Sequence, residues 1–122
     1  MRHIAQKQEF TEIFERGERK KGTYLSFYLL GAEQEPEIAV GLVISKKVAK
    51  KAVIRNYLRR TIYAFFRENR NNFQKGFKLI VRGIKEVSEL KKKDLSLEIR
   101  KELDFLCSMS GIKNDKSIDF DH

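Results

Sequence analysis

The sequence has 122 residues, of which 41% are hydrophobic and 35% are charged, and its formal net charge is +9 at pH 7. This length and composition predict one globular domain over residues 1–122 with a modest core, and they exclude a disordered chain. The single cysteine excludes an internal disulfide, and no stretch reaches the roughly 20 apolar residues that a membrane-spanning helix needs. With no signal peptide, these features predict a cytoplasmic protein that does not bind a membrane.

The first predicted helix covers residues 7–16 and carries Phe10, Ile13 and Phe14 on one side. Gly17 is expected to end it. The two phenylalanines allow two interpretations. They pack in the core, or an edge of the pair lines a groove in which unpaired bases stack.

A basic turn over residues 19–22 and a strand over residues 23–30 are predicted next. Alternation in this strand gives one face with Leu25, Phe27 and Leu29 and another with Tyr24, Ser26 and Tyr28. The second face is either an ordinary half-exposed surface or a binding platform. Residues 31–37 predict a turn to an antiparallel strand over residues 38–44, which is nearly all apolar and is therefore expected to be covered on both faces.

Basic charge is concentrated in one part of the chain. Residues 38–67 hold eight Lys and Arg residues and no Asp or Glu, so this window carries +8 of the net +9. Such a concentration is typical of proteins that bind a polyanion. The eight residues are Lys46, Lys47, Lys50, Lys51, Arg55, Arg59, Arg60 and Arg67.

The segment over residues 50–70 fits an amphipathic helix with roughly 100° per residue. Its apolar face, expected to contact the core, consists of Ile54, Leu58, Thr61, Ile62 and Phe65. Its other face has a row of Arg55, Arg59 and Tyr63, with Asn56, Arg60 and Arg67 beside it. A solvated face normally mixes charge signs for i, i+4 pairs of roughly 0.2 to 0.5 kcal/mol each, whereas these arginines repel one another. The face is either merely solvated or, as arginine geometry favours, a surface for phosphates and bases.

Asn71 and Asn72 are expected to end the long helix, and Gly76 marks a turn into a strand over residues 77–82. A last helix is predicted from an N-cap at Asp94 to about Met109. Its apolar stripe consists of Leu95, Ile99, Leu103 and Leu106, and Cys107 beside the stripe is expected to be buried rather than reactive. The tail over residues 111–122 is expected to be mobile.

At the basic segment the sequence resembles the protein subunit of bacterial ribonuclease P. The family signature reads Arg-Asn-Arg-x-x-Lys/Arg-Arg-x-x-Arg after Ser/Ala-Lys-Lys, and this chain has Ser45-Lys46-Lys47 and then Arg55-Asn56 with Arg59-Arg60. The resemblance extends over residues 7–106. It includes Phe10 and Phe14 in the first helix, the glycine that follows it, Gly17, and the strand end from Gly41 to Lys47. Tyr57 and Tyr63 stand where the family usually has basic residues.

The order of predicted elements indicates an α/β sandwich with helices packed on one sheet. The resemblance makes this more specific. It implies a two-layer α+β sandwich with three helices on a mixed four-stranded sheet, a left-handed βαβ crossover, and the fold of the second domain of the fifth small-subunit ribosomal protein.

The resemblance also implies a function. Members of the family bind a catalytic RNA and the 5′ leader of precursor tRNA, and assist the endonucleolytic removal of that leader. The protein would then be part of an endoribonuclease whose chemistry belongs to the RNA and its Mg²⁺ ions. No catalytic residue, bound cofactor, bound metal or obligate protein partner is expected of the protein itself. The residues implied for the catalytic RNA are Lys46, Lys47, Lys50, Lys51, Arg55, Asn56, Arg59, Arg60 and Arg67. Those implied for the leader groove are Phe10, Phe14, Ser26, Tyr28, Arg59 and Tyr63.

Three other functions are compatible with parts of the sequence. A plain RNA-binding protein would use the same basic patch, but it has no reason to reproduce the ordered motifs. A membrane-surface or calmodulin-type helix is disfavoured because the core needs the apolar stripe. An autonomous nuclease needs clustered metal ligands. Here the two histidines lie at the chain ends, and the only close acidic set is Glu33, Glu35 and Glu37.

Overall fold

The computed structural model describes residues 1–113 and contains a mixed sheet of five strands with three helices. In chain order the elements are β1 (Arg2–His3), α1 (Lys7–Arg16), β2 (Glu18–Lys21), β3 (Leu25–Gly31), β4 (Ala39–Val43), α2 (Ala52–Glu68), β5 (Phe77–Gly83) and α3 (Lys92–Ser110). The strands lie in the order β1-β4-β5-β3-β2. The pairs β1–β4 and β4–β5 are parallel, and the pairs β3–β5 and β2–β3 are antiparallel. β4, α2 and β5 therefore form a βαβ unit of adjacent parallel strands.

The sheet is covered on both faces. On β5, Leu79 and Val81 belong to the larger core together with α2 and α3, whereas Ile80 belongs to a smaller core together with Ile13 of α1. Successive strand side chains point to opposite faces, so this division follows from the pleat. The predicted α/β architecture with three helices is confirmed, and so is the burial of the fourth strand on both faces.

The sheet has five strands where the resemblance implies four. The predicted basic turn over residues 19–22 is wrong, because Glu18–Lys21 forms β2 and Arg19 pairs with Tyr28 of β3. Charged residues have little intrinsic preference for strands, so local sequence gave no signal here. They suit the outer edge of a sheet, where they oppose pairing with another chain. The other additional strand is β1, which is two residues long and pairs with β4.

The strands on either side of residues 31–37 run antiparallel, as predicted, but they are not neighbours. β5 lies between β3 and β4 and pairs with both. The placement of Tyr24 is also wrong. It precedes β3, packs against the larger core, and donates its hydroxyl to Glu89 Oε1 at 2.8 Å. Ser26 and Tyr28 do share a face, because they alternate with Phe27 along β3.

The ends of the last two helices differ from the predictions. α2 ends at Glu68 rather than at Asn71 and Asn72, which lie in the 3₁₀ turn Arg70–Asn72. The side-chain amide of Asn69 donates to the carbonyl of Phe65 at 2.8 Å and satisfies a group at the helix end. α3 begins at Lys92 with Lys91 as its N-cap, so Asp94 lies in the first turn instead.

The stripe predicted for α3 is confirmed, since Leu95, Ile99, Leu103 and Leu106 are all buried. Cys107 is fully buried, and this burial raises the pKa of its thiol to about 12. The predicted mobile tail begins too early. Gly111 ends α3 in the left-handed conformation, Ile112 is fully buried, and Lys113 forms a bridge with Phe73. Residues 114–122 lie outside the described residues. Among the helices of residues 1–113, none is long and apolar enough to cross a membrane.

Candidate nucleic-acid interface

Residues 45–51 join β4 to α2 and are called here the lysine loop. Its lysines are exposed, namely Lys46, Lys47, Lys50 and Lys51. Val48 and Ala49 between them are buried and belong to the larger core. The Val48 carbonyl accepts a bond from the Val87 N–H at 3.0 Å, and a Cβ on Gly83 would lie 2.8 Å from Val48 Cγ2. The loop is therefore fixed by its apolar pair, which turns the lysines toward solvent.

The positive charge of the lysine loop coincides with the positive end of α2. The helix has 17 residues, its first turn contains no acidic residue, and the N-cap Lys51 makes no side-chain capping bond. Cations at a helix N-terminus are unfavourable with the helix dipole, whereas phosphates are favourable. The lysines at this end of the helix are therefore unfavourable in the free protein and become favourable when a polyanion binds.

Arg55 faces inward to the lysine loop. Its Nη1 donates to the carbonyl of Ala49 at 2.9 Å and to that of Lys50 at 2.8 Å, and the side chain is half-buried. The predicted RNA contact therefore has an intramolecular task, which is to hold the loop against the first turn of α2.

The remaining predicted residues of this helix form the basic face of α2, defined as Asn56, Arg59, Arg60 and Arg67. All four side chains are exposed. Within residues 1–113, no carboxylate forms a salt bridge with Arg59, Arg60 or Arg67. Their guanidinium groups keep their donors free for phosphate oxygens.

Tyr63 lies at the end of the basic row, where it packs against the larger core. Its ring stacks on His3 of β1, with ring centroids 4.1 Å apart and an angle of 4° between the planes. Burial raises the pKa of the Tyr63 hydroxyl, and the nearby Arg59 charge partly opposes that rise. Tyr63 is thus a neutral stacking group.

The other predicted aromatic residues gather on the opposite face of the sheet, under α1. Phe14 meets the ring of Tyr28 edge-on at 4.8 Å between centroids, and Phe10 lies 6.4 Å from Phe14. Phe10 rests directly on Gly41 of β4, where a Cβ would lie only 2.8 Å from its Cζ. We call Phe10, Phe14 and Tyr28 the aromatic cluster. All three rings are half-buried, so each keeps an accessible edge or face.

Two arginines flank the aromatic cluster. The guanidinium of Arg19 lies 5.8 Å from the centre of the Tyr28 ring, and that of Arg82 lies 6.0 Å from the centre of the Phe14 ring. Ser26 is fully buried, so it positions Arg19 by accepting a bond from Arg19 Nε at 3.2 Å. This face combines rings that can stack on bases with cations that can bind phosphates.

The structure therefore divides the predicted leader groove. Phe10, Phe14 and Tyr28 come together with Ser26 behind them, while Arg59 and Tyr63 lie on α2, which packs on the other face of the sheet. Sequence reasoning missed His3, Arg19 and Arg82. Arg82 had a weak signal, since it lies two residues after Ile80 and therefore shares its strand face. Arg19 had no such signal, because it is placed beside Tyr28 by β2, which was not predicted.

The acidic residues form no metal centre in the described part of the chain. No three His, Cys, Asp or Glu side chains come together there in a way that could hold a metal ion. In the turn before β4, Glu35 pairs with Arg2 at 2.6 Å and Glu37 pairs with the N-terminal ammonium at 2.6 Å. We therefore assign no metal ligand to these residues.

The sequence model of the family described as Ribonuclease P matches residues 1–106. The chain belongs to the ribonuclease P protein family. A ribonuclease P protein component from a Pseudanabaena species is 33% identical over 78 residues, which cover 64% of this chain and 67% of the relative. Another from Bacillus cereus is 28% identical over 114 residues, which cover 93% of this chain and 92% of the relative.

Solved structures of ribonuclease P proteins share the fold. The Staphylococcus aureus protein superposes with a TM-score of 0.82 at 19% identity, covering 93% of this chain and 99% of that one. The Thermotoga maritima protein gives a TM-score of 0.75 at 25% identity, covering 87% of this chain and 94% of that one. The suspected family and the predicted mixed α/β fold are confirmed. Membership in this family places the protein in RNA processing by a ribonuclease.

Proposed function

We propose that this protein binds the catalytic RNA of ribonuclease P and the 5′ leader of precursor tRNA, and so assists the endonucleolytic removal of the leader. The observation that carries this proposal is the Phe14–Tyr28 pair between Arg19 and Arg82. Stacking and phosphate contacts of this kind hold an extended single strand without reading its sequence. The leader of a precursor tRNA is such a strand.

The catalytic RNA is assigned to the lysine loop and the basic face of α2. Four exposed lysines, and three arginines without a carboxylate partner in residues 1–113, supply the charge there for a folded RNA, whose phosphates release counterions when they are neutralised. The two RNAs would contact opposite sides of the protein, which would therefore lie between them. Tyr63 and Arg59, at the edge of α2, would contact whichever strand passes that edge.

In this account the chemistry is supplied by the RNA with its Mg²⁺ ions, and the protein contributes binding and orientation. No described side chain is assigned as a catalytic group. The place of action we propose is the cytoplasm, in line with a single buried cysteine. A precursor tRNA and the catalytic RNA are sufficient partners in this scheme.

A plain RNA-binding protein with no part in cleavage is the second candidate, because the same basic surface would serve it. The distinguishing experiment measures 5′ leader removal from a precursor tRNA by the cognate catalytic RNA at low Mg²⁺, with and without the protein. We expect cleavage to depend on the protein and to be lost when Arg59 and Arg60 are both replaced by alanine. If the protein binds RNA and leaves cleavage unchanged, the second candidate takes its place.

A further inference from the structure

We propose that a cavity beside the lysine loop receives the base of one unpaired nucleotide of the catalytic RNA. The cavity has a volume of about 320 Å³. It lies between the lysine loop, the first turn of α2, residues 86–90 and the first turn of α3. This inference rests on the proposed function.

The walls of the cavity are apolar. They consist of Ala49, Ile54, Val87, Leu90 and Leu95. Three of these side chains are buried, and Ile54 and Leu90 are half-buried at the opening. A volume of this order, with apolar walls and few polar groups, is typical of small-ligand sites. A nucleobase fits such walls because its two faces are apolar, as in pockets that hold a base taken out of its stack.

The rim of the cavity is basic. Lys50, Lys51 and Lys92 line it, all three are exposed, and none forms a salt bridge within the described part of the chain. Lys92 Nζ lies 5.8 Å from the centre of the Tyr57 ring, which holds the ammonium beside α2. An apolar interior below three ammonium groups matches a nucleotide, because the faces of its base are apolar and its phosphate is anionic. An apolar ligand alone would leave the rim without a partner.

Two polar groups at the cavity could orient the base. Glu86 and Ser88 line it beside the lysines. A carboxylate accepts hydrogen bonds from ring N–H and exocyclic amino groups, and a hydroxyl can donate or accept. Unpaired RNA bases are commonly recognised through these edges. The cavity therefore offers walls for the faces of a base, acceptors for its edge and cations for its phosphate.

The position of the cavity selects the catalytic RNA as the occupant. Val87 and Leu95 belong to the larger core and Ile54 packs against it, whereas the aromatic cluster assigned to the leader lies on the opposite face of the sheet. Lys50 and Lys51 also belong to the lysine loop, so an RNA bound by the loop passes the opening. A leader held by the aromatic cluster lies on the wrong face.

The first test observes the wild-type protein. With methyl-labelled protein, saturation with the cognate ribonuclease P RNA should shift the Ile54, Leu90 and Leu95 methyl signals upfield through the ring current of a base. The Ile13 and Ile80 methyls, on the other face of the sheet, serve as the control and should not move in this way. Unchanged cavity methyls at saturation overturn the proposal. The proposal is equally overturned if a leader oligonucleotide, rather than the catalytic RNA, shifts the cavity methyls.

The second test blocks the opening. Leu90→Trp should weaken binding to the catalytic RNA by roughly 10- to 100-fold, within the range known for loss of one stacked base. The matched control is Leu97→Trp, because Leu97 is 54% exposed on α3 and does not line the cavity. Circular dichroism melting shows whether both variants are folded. If Leu90→Trp does not fold, the methyl experiment on the wild-type protein alone tests whether a base enters the cavity.

The outcomes separate the cavity from the proposed function. If wild-type protein and Leu97→Trp bind the RNA and Leu90→Trp binds it equally well, the cavity proposal alone is overturned. If the wild type does not bind ribonuclease P RNA, the proposed function fails and the cavity proposal fails with it.

Discussion

His3 and Tyr63 form a parallel stack that joins the first strand to the long helix, with 4.1 Å between the ring centroids. The stack covers one face of Tyr63, so a base cannot lie on that face while β1 is docked. His3 is exposed. The outer face of the His3 ring is therefore the natural place for a base to continue the stack, with Arg59 nearby for its phosphate.

We predict that His3→Ala and Tyr63→Ala each weaken holoenzyme binding to precursor tRNA by about 5-fold, the lower end of the effect of losing a stacked base. Because the two rings act as one stack, the double variant should lose little more than either single variant. Tyr63→Phe is the control, since it keeps the ring. Binding constants for the wild type, the two single alanine variants and the double variant complete the double-mutant cycle. Fully additive losses would show that the rings act separately.

Arg55 and Arg59 should differ in what they affect. Arg55→Ala removes two bonds to the lysine loop and should lower the free energy of unfolding by about 1 to 3 kcal/mol. Arg59→Ala should leave stability within about 0.5 kcal/mol of the wild type, because the side chain is exposed.

The same two variants should separate in RNA binding. Arg59→Ala should reduce the slope of log affinity against log salt by about 0.7 to 0.9, the value for one phosphate contact. Urea unfolding measures the stability of each variant. RNA affinity is measured between 50 and 200 mM salt, a range over which proteins with several phosphate contacts lose about 10³-fold in affinity. A destabilised Arg59→Ala with an unchanged slope would contradict the assignment.

The stability of the fold in acid depends on Glu9, which links α1 to β1 through Arg2. Arg2 Nη2 lies 2.5 Å from Glu9 Oε2, and Lys78 Nζ lies 3.1 Å from the same oxygen. The bond from Arg2, together with that from Lys78, lowers the pKa of the Glu9 carboxyl from 4.5 to about 2 against the opposing effect of burial. The ionised form therefore stabilises the fold above pH 4.5, and this contribution is lost as the pH falls toward 2.

We predict that Glu9→Gln is less stable than the wild type at pH 7 by about 1 kcal/mol, since solvent screens part of the interaction. The difference should shrink as the pH is lowered from 4.5 to 2. Glu15→Gln, at an exposed position of the same helix, is the control. Thermal unfolding across this range tests the prediction. A constant difference between Glu9→Gln and the wild type would disprove the linkage.

Local periodicity explains what the sequence could reveal of the fold. The stripe of Leu95, Ile99 and Leu103 and the spacing of Phe10 and Phe14 each mark one side of a helix, and a helix face depends only on near neighbours. The basic window was equally visible, because its charge lies in one continuous segment. Both features are present in the structure, although Arg55 of the basic window turns inward.

Contacts between distant segments were not visible in the sequence. β5 enters between β3 and β4, and β2 exists because Arg19 and its neighbours pair with β3. Strand pairing depends on partners far along the chain rather than on local preference. For the same reason the inward turn of Arg55 and the stack of His3 on Tyr63 could not be predicted from the sequence.

Binding of the leader by the aromatic cluster is tested most directly by comparing the holoenzyme's affinity for precursor tRNA with its affinity for mature tRNA. Phe14→Ala should reduce the preference for the precursor by about 5- to 100-fold, the range for one stacked base, and leave mature tRNA binding unchanged. Phe105→Ala is the control, because Phe105 is 58% exposed on α3, on the other side of the sheet. An unchanged preference in a folded Phe14→Ala holoenzyme would contradict the account.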